Sequence, residues 1–455
     1  MLRVFGHYCS GSQLFLFISE AAALLLVIGA GTVLVAHGLS LVPAPPGSLV
    51  AAALTAVTFQ LCLYLGDLYD VRVAGQDRRD GVRLLRWVGI AAIALGLASW
   101  LRPKVLPPEL ILWAVGFATA SVLAVRWALP GLLGRRRRVL VLGTGARAMA
   151  VARAIDRDPT GEVELVGFVG APGAEAPGPL CLDDAKGFDR LAGANGANVL
   201  VVAYEDRRGV MRTEELLRCR LGGTEVMEAT HFTERVLRRL PLGDLRPSFL
   251  LFSDGWSMGL AHRVLKRAFD VSVASALLIL ASPAMLAVAL LVRLTSRGPI
   301  LFQQERVGQG GRPFKLTKFR TMREDAEASS GPVWAQEKDP RITPVGAFLR
   351  KTRLDELPQI FNVLSGAMSF VGPRPERPFF TERLRKEIPF FDLRLAVKPG
   401  ITGWAQILYP YGASVEDARA KLEFDIYYIK NASLFLDAVI VFHTVKHVLF
   451  GRGAR

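Results

Sequence analysis

Residues Val271–Val292 read VSVASALLILASPAMLAVALLV, an apolar run that is long enough to enter a lipid bilayer. Ser282-Pro283 lies at its centre, and a proline removes one helical hydrogen bond, so we expect a bend there. Basic residues flank both ends of the run: Arg263, Lys266, Arg267, Arg293 and Arg297. Because basic flanks favour the cytoplasmic side, the sequence predicts a re-entrant helical hairpin, at about residues 264–297, with both ends in the cytoplasm. A straight span is the alternative, and it would carry everything beyond Val292 across the membrane.

The amino-terminal part contains four further apolar stretches, each close to the ~20 residues that cross a hydrocarbon core. They are Leu14–Ala36, Leu49–Leu65, Leu84–Leu101 and Leu110–Leu129. They predict four transmembrane helices within residues 1–134. No small-residue cleavage pattern follows the first stretch, so it is expected to be a retained anchor. Four buried helices of a soluble bundle are the alternative, but such helices need polar faces that these stretches lack.

Basic residues are distributed unevenly between the loops. The first loop has three prolines and no lysine or arginine, whereas the second is rich in arginine. The residues are Pro43, Pro45 and Pro46 in the first loop and Arg72, Arg78, Arg79, Arg83 and Arg86 in the second. Four arginines, Arg135–Arg138, follow the fourth stretch. The positive-inside rule therefore places the amino terminus, the second loop and everything after Leu129 in the cytoplasm, and the four spans predict a multi-pass membrane protein.

The composition narrows the class of partner. The chain has 455 residues, of which 51% are hydrophobic, and a formal net charge of +15. Such charge indicates an acidic partner, and the hydrophobicity favours lipid head groups or a phosphorylated substrate over nucleic acid. The four cysteines form no C-x-x-C pair, so neither a zinc site nor a disulfide framework is indicated.

A soluble α/β pattern begins after the arginine run. Val139–Leu142 is a predicted strand, and the turn GTGARA at Gly143–Ala148 opens a helix, which is the context of a dinucleotide-binding fingerprint. Val163–Val169 and Asn198–Ala203 predict two more strands, and Ala171–Pro179 a surface loop. The pattern predicts a Rossmann-like, CoA-binding-like module over residues 135–250.

This fingerprint is incomplete. An acidic residue should close the second strand and hold the ribose, but Val163–Val169 runs into Gly170 and Ala171. A module used for regulation or packing is therefore favoured. A membrane-tethered nucleotide-sugar oxidoreductase or epimerase stays open as an alternative function, although no convincing Y-x-x-x-K pair follows.

Asp355-Glu356 is the most informative pair of carboxylates. Leu354, Leu357 and Phe361 recur at helical spacing, and Pro358 suits a first helical turn, so the pair is expected at or near a helix amino terminus. There the helix dipole lowers a carboxylate pKa and keeps it ionised, as a nucleophile or metal ligand must be. Ordinary helix capping is the alternative.

Five sequence blocks follow the Ser-Pro segment in a fixed order. They are K-F-R-T-M at 318–322, R-x-x-x-L-D-E-L-P-Q at 350–359, F-N-V-L-x-G-x-M-S-F-V-G-P-R-P at 361–375, K-P-G-I-T-G-W-A-Q at 398–406 and Y-Y-I-K-N-x-S at 427–433. Over about His262–Gly451 the chain resembles the bacterial sugar transferase family of monotopic phosphoglycosyl transferases. The layout with four spans and an α/β module resembles the long form, including exopolysaccharide enzymes associated with exosortase systems.

The resemblance implies a catalytic domain over residues 262–455 and a function for its residues. Asp355 would be the nucleophile that attacks the sugar-bearing phosphorus of a UDP-sugar and expels UMP. The aspartyl phosphosugar would pass to undecaprenyl phosphate, in the initiating step of exopolysaccharide synthesis. Glu356 would support metal or proton handling, and Mg²⁺, held by Asp355 and Glu356, is the implied cofactor. The implied substrate-binding residues are Lys318, Arg320, Arg350, Arg374, Asp425 and Asp437.

The same resemblance suggests a hexose 1-phosphate as the transferred group and a homodimer as the assembly. Membrane lipid is a further expected partner, and nucleic acid is not. A non-enzymatic scaffold for polysaccharide assembly, which would use its basic face on anionic lipid, is the remaining alternative. It leaves the coincidence of five ordered blocks unexplained.

Overall fold

The structure is a computed structural model, and it describes residues 2–4, 7–9, 11–38, 48–66, 68–69, 79–103, 108–128, 136–158, 160–170, 181–183, 187–206, 211–245, 247–256, 258–323, 340–409, 412 and 414–449. The loops predicted around Pro43–Pro46 and Arg72–Arg78, the residues Leu129 and Arg135 and the loop Ala171–Pro179 lie outside this part of the chain. Two compact units are formed: the first comprises Met1–Leu2 and Tyr8–Phe232, and the second comprises Arg3–His7 and Thr233–Arg455. The fold is mixed, with apolar helices beside α/β structure.

Two short strands and four helices begin the chain. The strands are β1 (Leu2–Val4) and β2 (His7–Cys9), and the helices are α1 (Gly11–Gly38), α2 (Ser48–Leu65), α3 (Arg79–Leu101) and α4 (Pro108–Ala128). The helices share an apolar core that includes Leu24, Phe59 and Ala118. Among the described residues, the partly buried Arg126 of α4 pairs with the fully buried Glu20 of α1 at 2.8 Å. The pair ties the first helix to the fourth.

The outward faces of these helices are also apolar. Leu26, Trp100 and Leu112 are 72%, 79% and 77% exposed, respectively. Val82–Leu101 is long and apolar enough to cross a membrane, and Leu14–Leu26, Ala53–Leu65 and Ile111–Arg126 are shorter apolar helices. Apolar side chains on both faces of a helix are unusual in water and ordinary in lipid.

A five-stranded parallel sheet completes the first unit. Its elements are β3 (Arg137–Leu142), α5 (Ala146–Asp156), β4 (Val163–Gly170), β5 (Cys181–Asp183), α6 (Phe188–Ala194), β6 (Val199–Val202), α7 (Thr213–Leu221) and β7 (Glu225–Glu228). The strand order is β5-β4-β3-β6-β7, so β3 occupies the centre. Leu140, Leu142 and Leu200 are fully buried, as expected for strands covered by helices on their faces. The short helix α8 (Ala229–Leu237) leads from this unit into the second.

The second unit combines one long helix with short strands and helices. Its elements are α9 (Pro247–Phe252), α10 (Leu260–Thr295), β8 (Leu301–Val307), β9 (Pro313–Phe319), α11 (Pro344–Thr352), α12 (Gln359–Leu364), β10 (Ser369–Val371), α13 (Pro378–Glu387), β11 (Gly400–Thr402), α14 (Trp404–Leu408), α15 (Val415–Lys430) and α16 (Leu434–Leu449). Short 3₁₀-helices lie at Leu242–Asp244, Gln309–Gly311, Leu354–Glu356 and Phe391–Ala396. Strands β8 and β9 form an antiparallel hairpin, and β10 pairs with β11 in parallel.

Helix α10 contains the Ser-Pro segment and is long and apolar enough to cross a membrane. It is one continuous helix, with Pro283 in its interior. Its first half is tied to α12, because Arg267 donates hydrogen bonds to the carbonyls of Val363 and Leu364 at 2.6 and 2.8 Å. In its second half, Val288 and Val292 pack in a cluster with Phe319 of β9. Leu357 contacts the clusters of both halves, so both halves pack on the same part of the unit.

Three glycines explain the backbone of the blocks around β10 and β11. A Cβ atom on Gly372 would collide with the carbonyl of Lys398, and one on Gly400 would collide with the amide nitrogen of Gly372. A Cβ on Gly403 would meet the carbonyl of Gly372. The two strands therefore approach so closely that only glycine fits, and this contact fixes the start of the segment that carries Arg374.

A buried ion pair attaches the start of the second unit to the rest of it. Lys430, at the end of α15, donates a hydrogen bond to Glu234, and Asn431 donates a second one at 3.0 Å. Glu234 is fully buried and Lys430 is 2% exposed. The Lys430 ammonium also lies 4.4 Å from the centre of the Phe249 ring. Residues ahead of α10 are thus held by charged and aromatic contacts inside the unit.

Candidate active site

Asp355 and Glu356 lie in a short 3₁₀-helix between α11 and α12. Thr343 caps the start of helix α11, and its hydroxyl accepts a hydrogen bond from the amide of Gly346 at 3.0 Å. Arg353 follows the last residue of the helix, and its φ of 57° places it in the left-handed region that is uncommon for residues other than glycine. This turn carries Asp355 into the interior, where 7% of the residue is exposed.

The Asp355 carboxylate faces positive charges without touching them. Among the residues that the structure describes, it accepts no hydrogen bond and has no ion-pair partner within 4.0 Å. Burial raises the pKa of Asp355 above its usual value, while the nearby charge of Lys318 acts in the opposite direction. The sequence predicted a lowered pKa from a helix amino terminus. That direction is wrong at Asp355, because desolvation outweighs the favourable charges.

Glu356 is held by two cations. The ammonium Nζ of Lys318 and the guanidinium Nη2 of Arg374 each donate to its Oε1 at 2.8 Å. Burial alone would raise the pKa of Glu356, but the charges of Arg374 and Lys318 and their hydrogen bonds lower it well below its usual range. Burial also lowers the pKa of Lys318, which the charge of Glu356 raises in turn. The pKa values of the two adjacent carboxylates are thus shifted in opposite directions.

The two other predicted basic residues make different contacts. Arg350, on α11, donates from Nε to the hydroxyl of Thr321 at 2.9 Å, and its charge acts on the pKa of Asp355. Arg320 is 6% exposed and donates from Nη2 to the carbonyl and hydroxyl of Ser296 at 2.9 and 2.8 Å. The structure therefore brings Arg350 to the Asp355 centre and places Arg320 at the end of α10.

The predicted acidic residue Asp425 lies behind Arg374 rather than beside Asp355. It pairs with Arg394 at 3.2 Å, and Arg394 donates to the backbone carbonyl of Arg374 at 2.8 Å. Burial raises the pKa of Asp425 to about 6, against the lowering effect of Arg394. Through Arg394, Asp425 supports the backbone of the residue that holds Glu356.

Asp437 lies in a separate buried network at the start of α10. Lys266 contacts its carboxylate at 3.0 Å, and the hydroxyl of Tyr428 donates to it at 2.8 Å. Lys266 also pairs with Asp270 at 3.0 Å and donates to the carbonyl of Val371 at 3.3 Å. Burial raises the pKa of Asp437, and Lys266 opposes this. The network fastens the long helix to β10.

Sequence reasoning missed Lys266, Asp270, Arg394 and Tyr428 as members of the site. One signal was available, since Asp270 immediately precedes the apolar run Val271–Val292, and a charged residue in an apolar helix usually has a partner. Arg394 lies in no sequence block, so only the folded chain reveals it.

The arrangement suits chemistry on a phosphorylated substrate. The side chain of Arg374 is 40% exposed and can reach an incoming ligand, whereas Lys318 and Glu356 are mostly covered. Cationic side chains neutralise phosphate oxygens, and a carboxylate beside them is placed to attack phosphorus. A site with these features can accommodate a phosphorylated ligand.

Comparison with known proteins gives a consistent result. The family model for bacterial sugar transferase matches residues 261–451. A UDP-N-acetylgalactosamine-undecaprenyl-phosphate N-acetylgalactosaminephosphotransferase of Aeromonas hydrophila is 44% identical over 248 residues, which cover 53% of this chain and 56% of that protein. A UDP-glucose:undecaprenyl-phosphate glucose-1-phosphate transferase of Escherichia coli (strain K12) is 47% identical over 186 residues, which cover 40% of each.

A shorter relative is matched almost completely. The exopolysaccharide production protein PSS of Rhizobium leguminosarum bv. phaseoli is 46% identical over 191 residues, 40% of this chain and 94% of that protein. The chain belongs to the bacterial sugar transferase family, as its sequence blocks predicted. It spans about half the length of the Aeromonas and Escherichia relatives.

Proposed function

We propose that this protein transfers a sugar 1-phosphate from a UDP-sugar to undecaprenyl phosphate and releases UMP, as the initiating step of exopolysaccharide synthesis. The observation that carries the proposal is the Asp355 carboxylate, which is buried beside Lys318, Arg350 and Arg374 yet has no partner among the described residues. The relatives from Aeromonas and Escherichia are named for such transfers to undecaprenyl phosphate. A hexose is the proposed sugar.

The reaction has two steps at one carboxylate. An oxygen of Asp355 attacks the sugar-bearing phosphorus of the donor, the bond between that phosphorus and the bridging oxygen breaks, and UMP leaves with the electron pair. The intermediate is an aspartyl phosphosugar. A phosphate oxygen of undecaprenyl phosphate then attacks the same phosphorus, which releases the Asp355 carboxylate and forms undecaprenyl diphosphosugar.

Glu356 has a supporting function in this scheme. Because its pKa is lowered, it stays ionised and keeps Lys318 and Arg374 charged and in place. Both cations lie next to the nucleophile, where negative charge gathers on the transferred phosphoryl group. Fixed positive charges stabilise that transition state without reorganisation. Arg350 is proposed to act on the same charge from the side of α11, whereas Arg320, Asp425 and Asp437 are proposed to hold the surrounding backbone.

Mg²⁺ is the proposed cofactor. Among the described residues, no group of three or more His, Cys, Asp or Glu side chains converges as a metal site. Mg²⁺ commonly binds through one or two carboxylates together with substrate phosphates, which fits the pair Asp355 and Glu356. Asp355 is the better ligand, since Oε1 of Glu356 already meets two cations. When bound, the ion neutralises phosphate oxygens and stabilises the leaving group.

The long helix α10 is proposed to enter the cytoplasmic leaflet and return. Both of its halves pack on the same part of the second unit, while Ile279, Leu280 and Leu286, which surround Pro283, are 73%, 79% and 73% exposed. Exposed leucines and isoleucines around a central proline suit a tip buried in lipid. The site would then lie at head-group level, where undecaprenyl phosphate presents its charge.

The first unit is proposed to anchor and regulate the enzyme. The apolar outer faces of α1–α4 support four transmembrane helices within residues 1–134, in a multi-pass protein of the inner membrane. The parallel sheet supports a Rossmann-like module over 135–250, with the catalytic domain following at 262–455. At the Gly145 turn, the amide of Arg147 donates to Glu205 at 3.0 Å. A carboxylate of the protein thus takes the position of a dinucleotide phosphate.

Release of UMP tests the proposal. Purified protein with Mg²⁺ and undecaprenyl phosphate is given a panel of UDP-sugars, and the same assay is run on Asp355→Asn. We expect UMP release that depends on both the lipid and Asp355. When the lipid is omitted, we expect a labelled phosphosugar bound to the protein. Full activity of folded Asp355→Asn would refute the covalent mechanism, and silence across the panel in folded wild-type protein would refute the transfer itself.

A further inference from the structure

The segment 373–376 carries Arg374 between two prolines, and other parts of the second unit hold its backbone. Pro373 and Pro375 have restricted φ angles and no backbone N–H, so the segment has few hydrogen-bond donors of its own. Its four carbonyl oxygens nevertheless all accept hydrogen bonds. The donors are the amides of Gly400 and Val307 at the two ends and the side chains of Arg394 and Arg306 in the middle. Each peptide group around the Arg374 side chain is therefore held in place.

Two guanidinium groups bind successive carbonyls at the centre of this segment. Arg394 donates from Nη2 to the carbonyl of Arg374 at 2.8 Å, and Arg306 donates from Nη1 to the carbonyl of Pro375 at 3.0 Å. Hydrogen bonds from a charged donor are stronger than those between neutral groups. Charged side chains thus hold the segment at the point where it leaves the short strand β10.

Arg306, the second-last residue of β8, lacks the carboxylate partner that Arg394 has. Arg394 pairs with Asp425 at 3.2 Å, whereas no carboxylate among the described residues lies within 4.0 Å of the Arg306 guanidinium. Nη2 of Arg306 donates to the side-chain oxygen of Gln304 at 2.6 Å, and its Nε is buried without a partner in the described part of the chain. Burial lowers the pKa of Arg306 to about 10, so it is still a cation at neutral pH. Covering a cation in this way costs free energy, which indicates that its contact with Pro375 has a purpose besides stability.

The hairpin of β8 and β9 contacts both cations that hold Glu356. Strand β9 carries Lys318, whose Nζ donates to Oε1 of Glu356 at 2.8 Å. Strand β8 carries Arg306, which holds the segment of Arg374, the second donor to that oxygen. The two strands pair along their whole length, from Leu301 opposite Phe319 to Val307 opposite Pro313. One paired hairpin therefore sets the position of Lys318 relative to Arg374.

The Arg374 side chain depends on such support. It is 40% exposed, and a partly exposed arginine has many rotamers to lose when it is fixed in one position. Its charge lowers the pKa of both Asp355 and Glu356, so it acts on both carboxylates of the centre. Because a small displacement of a group at a reaction centre can greatly reduce the rate, the backbone that directs Arg374 matters for turnover.

We propose that Arg306 is a positioning residue for the transfer reaction, because it ties the backbone of the Arg374 segment to the hairpin that carries Lys318. It acts through Arg374, whose guanidinium it keeps at Glu356. The proposal rests on the proposed function, since it takes the Asp355 centre to carry out the transfer. The alternative is that Arg306 only stabilises the hairpin, which predicts a loss of stability without a specific loss of kcat.

Steady-state kinetics of UMP release tests this role in the full-length protein. Arg306→Met removes the charge and the donors, so kcat is expected to fall about tenfold to a hundredfold, as misplacement of a group at a reaction centre does. KM for the UDP-sugar should change little, since Arg374 acts on charge that gathers in the transition state. Arg306→Lys keeps a charged donor and is expected to retain more activity than Arg306→Met. If Arg306→Met does not fold, Arg306→Gln, which keeps a neutral donor, takes its place.

A double-mutant cycle with Arg374 separates positioning from stability. In the Arg374→Met background, Arg306→Met should lower kcat less than about twofold further, because the residue through which it acts is already lost. A merely structural role gives the same fold loss in both backgrounds. A radiolabelled donor keeps the slow rates measurable, and thermal unfolding is recorded for every variant.

Arg153→Met is the matched control in both backgrounds. Like Arg306, Arg153 donates from its guanidinium to a backbone carbonyl, that of Met149 in its own helix α5, at 3.3 Å. It lies in the first unit, so its loss should leave kcat unchanged with either residue at position 374.

Two results would overturn the positioning role. One is a folded Arg306→Met variant with the kcat of wild type, and the other is an equal fold loss in both backgrounds of the cycle. Either result in a protein that still releases UMP leaves the proposed function intact. Absence of UMP release in folded wild type, by contrast, removes the proposed function and the positioning role with it.

Discussion

Two turns in this molecule, one in each unit, suggest phosphate binding, and they differ in what fills them. The glycine-rich turn before α5 presents backbone amides at a helix amino terminus, and Glu205 occupies it, with Arg147 3.9 Å from its carboxylate. A Cβ atom on Gly145 would lie 2.9 Å from Glu205, so the glycine makes room for that side chain. The turn before α12 presents the Asp355 carboxylate to cations that it does not contact.

The difference teaches how to interpret such motifs. Backbone amides and basic side chains show where negative charge is stabilised, but they do not show whether a ligand or the protein itself supplies it. At Arg147 the protein supplies it, whereas the Asp355 carboxylate lies near cations and has no partner among the described residues. The predictions that follow compare the two turns.

The largest effect is expected from Asp355→Asn. Loss of the nucleophile should reduce UMP release about a thousandfold or more. The folded state should be no less stable, because the raised pKa shows that burial disfavours the ionised carboxylate. Turnover and thermal unfolding measured on the same preparation check both parts. An active variant, or one that fails to fold, would contradict the assignment.

Glu356→Gln should have the next largest effect. Glutamine still accepts a hydrogen bond but leaves Lys318 and Arg374 without a negative partner, so we expect turnover to fall about a hundredfold and stability to fall by about 1–3 kcal/mol. Denaturant unfolding followed alongside UMP release measures the two losses. Lower turnover with unchanged stability would mean that Glu356 acts on the substrate rather than through its two cations.

Lowering the pH should have a smaller effect than Glu356→Gln. We expect kcat/KM to fall about tenfold for each pH unit. Asp355 must be ionised to attack, and burial raises its pKa, so activity should fall as the pH drops through a value above the ~3.9 of an ordinary aspartate. Glu356 has a lowered pKa and stays ionised over this range. A rate profile in a series of buffers, with folding checked at each pH, locates the acidic limb. A limb at or below the ordinary value would argue against burial as the dominant influence.

Glu205→Gln should have the smallest effect and is the matched control at the other turn. Its side chain is 55% exposed, so loss of its charge should cost about 0–1 kcal/mol and leave UMP release unchanged. Thermal unfolding and the release assay test this together. A large loss of transfer in this variant would show that the first unit takes part in the reaction.

Local sequence patterns predicted the helices and strands well but did not predict long-range contacts between side chains. The apolar stretch Leu49–Leu65 became helix Ser48–Leu65, and Val139–Leu142 lies within strand β3. The regular spacing of Leu354 and Phe361 hid a break, because the left-handed Arg353 and the following 3₁₀-helix separate α11 from α12. No local pattern identifies the pairing of Arg394 with Asp425, since folding brings together residues that are far apart in sequence.

The sequence predicted which residues form the candidate site but not the direction in which their pKa values shift. The sequence blocks placed Asp355, Glu356, Lys318 and Arg374 in one group, and the structure brings them together. The direction of the Asp355 pKa depends on how deeply the turn is buried, which the sequence does not state.

The buried pair of Glu234 and Lys430 limits where the chain can be truncated. The family match begins at residue 261, and a truncated protein that starts there would lose Glu234 while keeping Lys430. The Lys430 ammonium, which is 2% exposed, would then lack its carboxylate partner. We expect this loss to lower the free energy of unfolding by about 3–5 kcal/mol, which is a large share of the stability of most domains. The smallest transferase fragment worth expressing therefore begins by residue 233, with the residues ahead of α10 kept as part of the catalytic body.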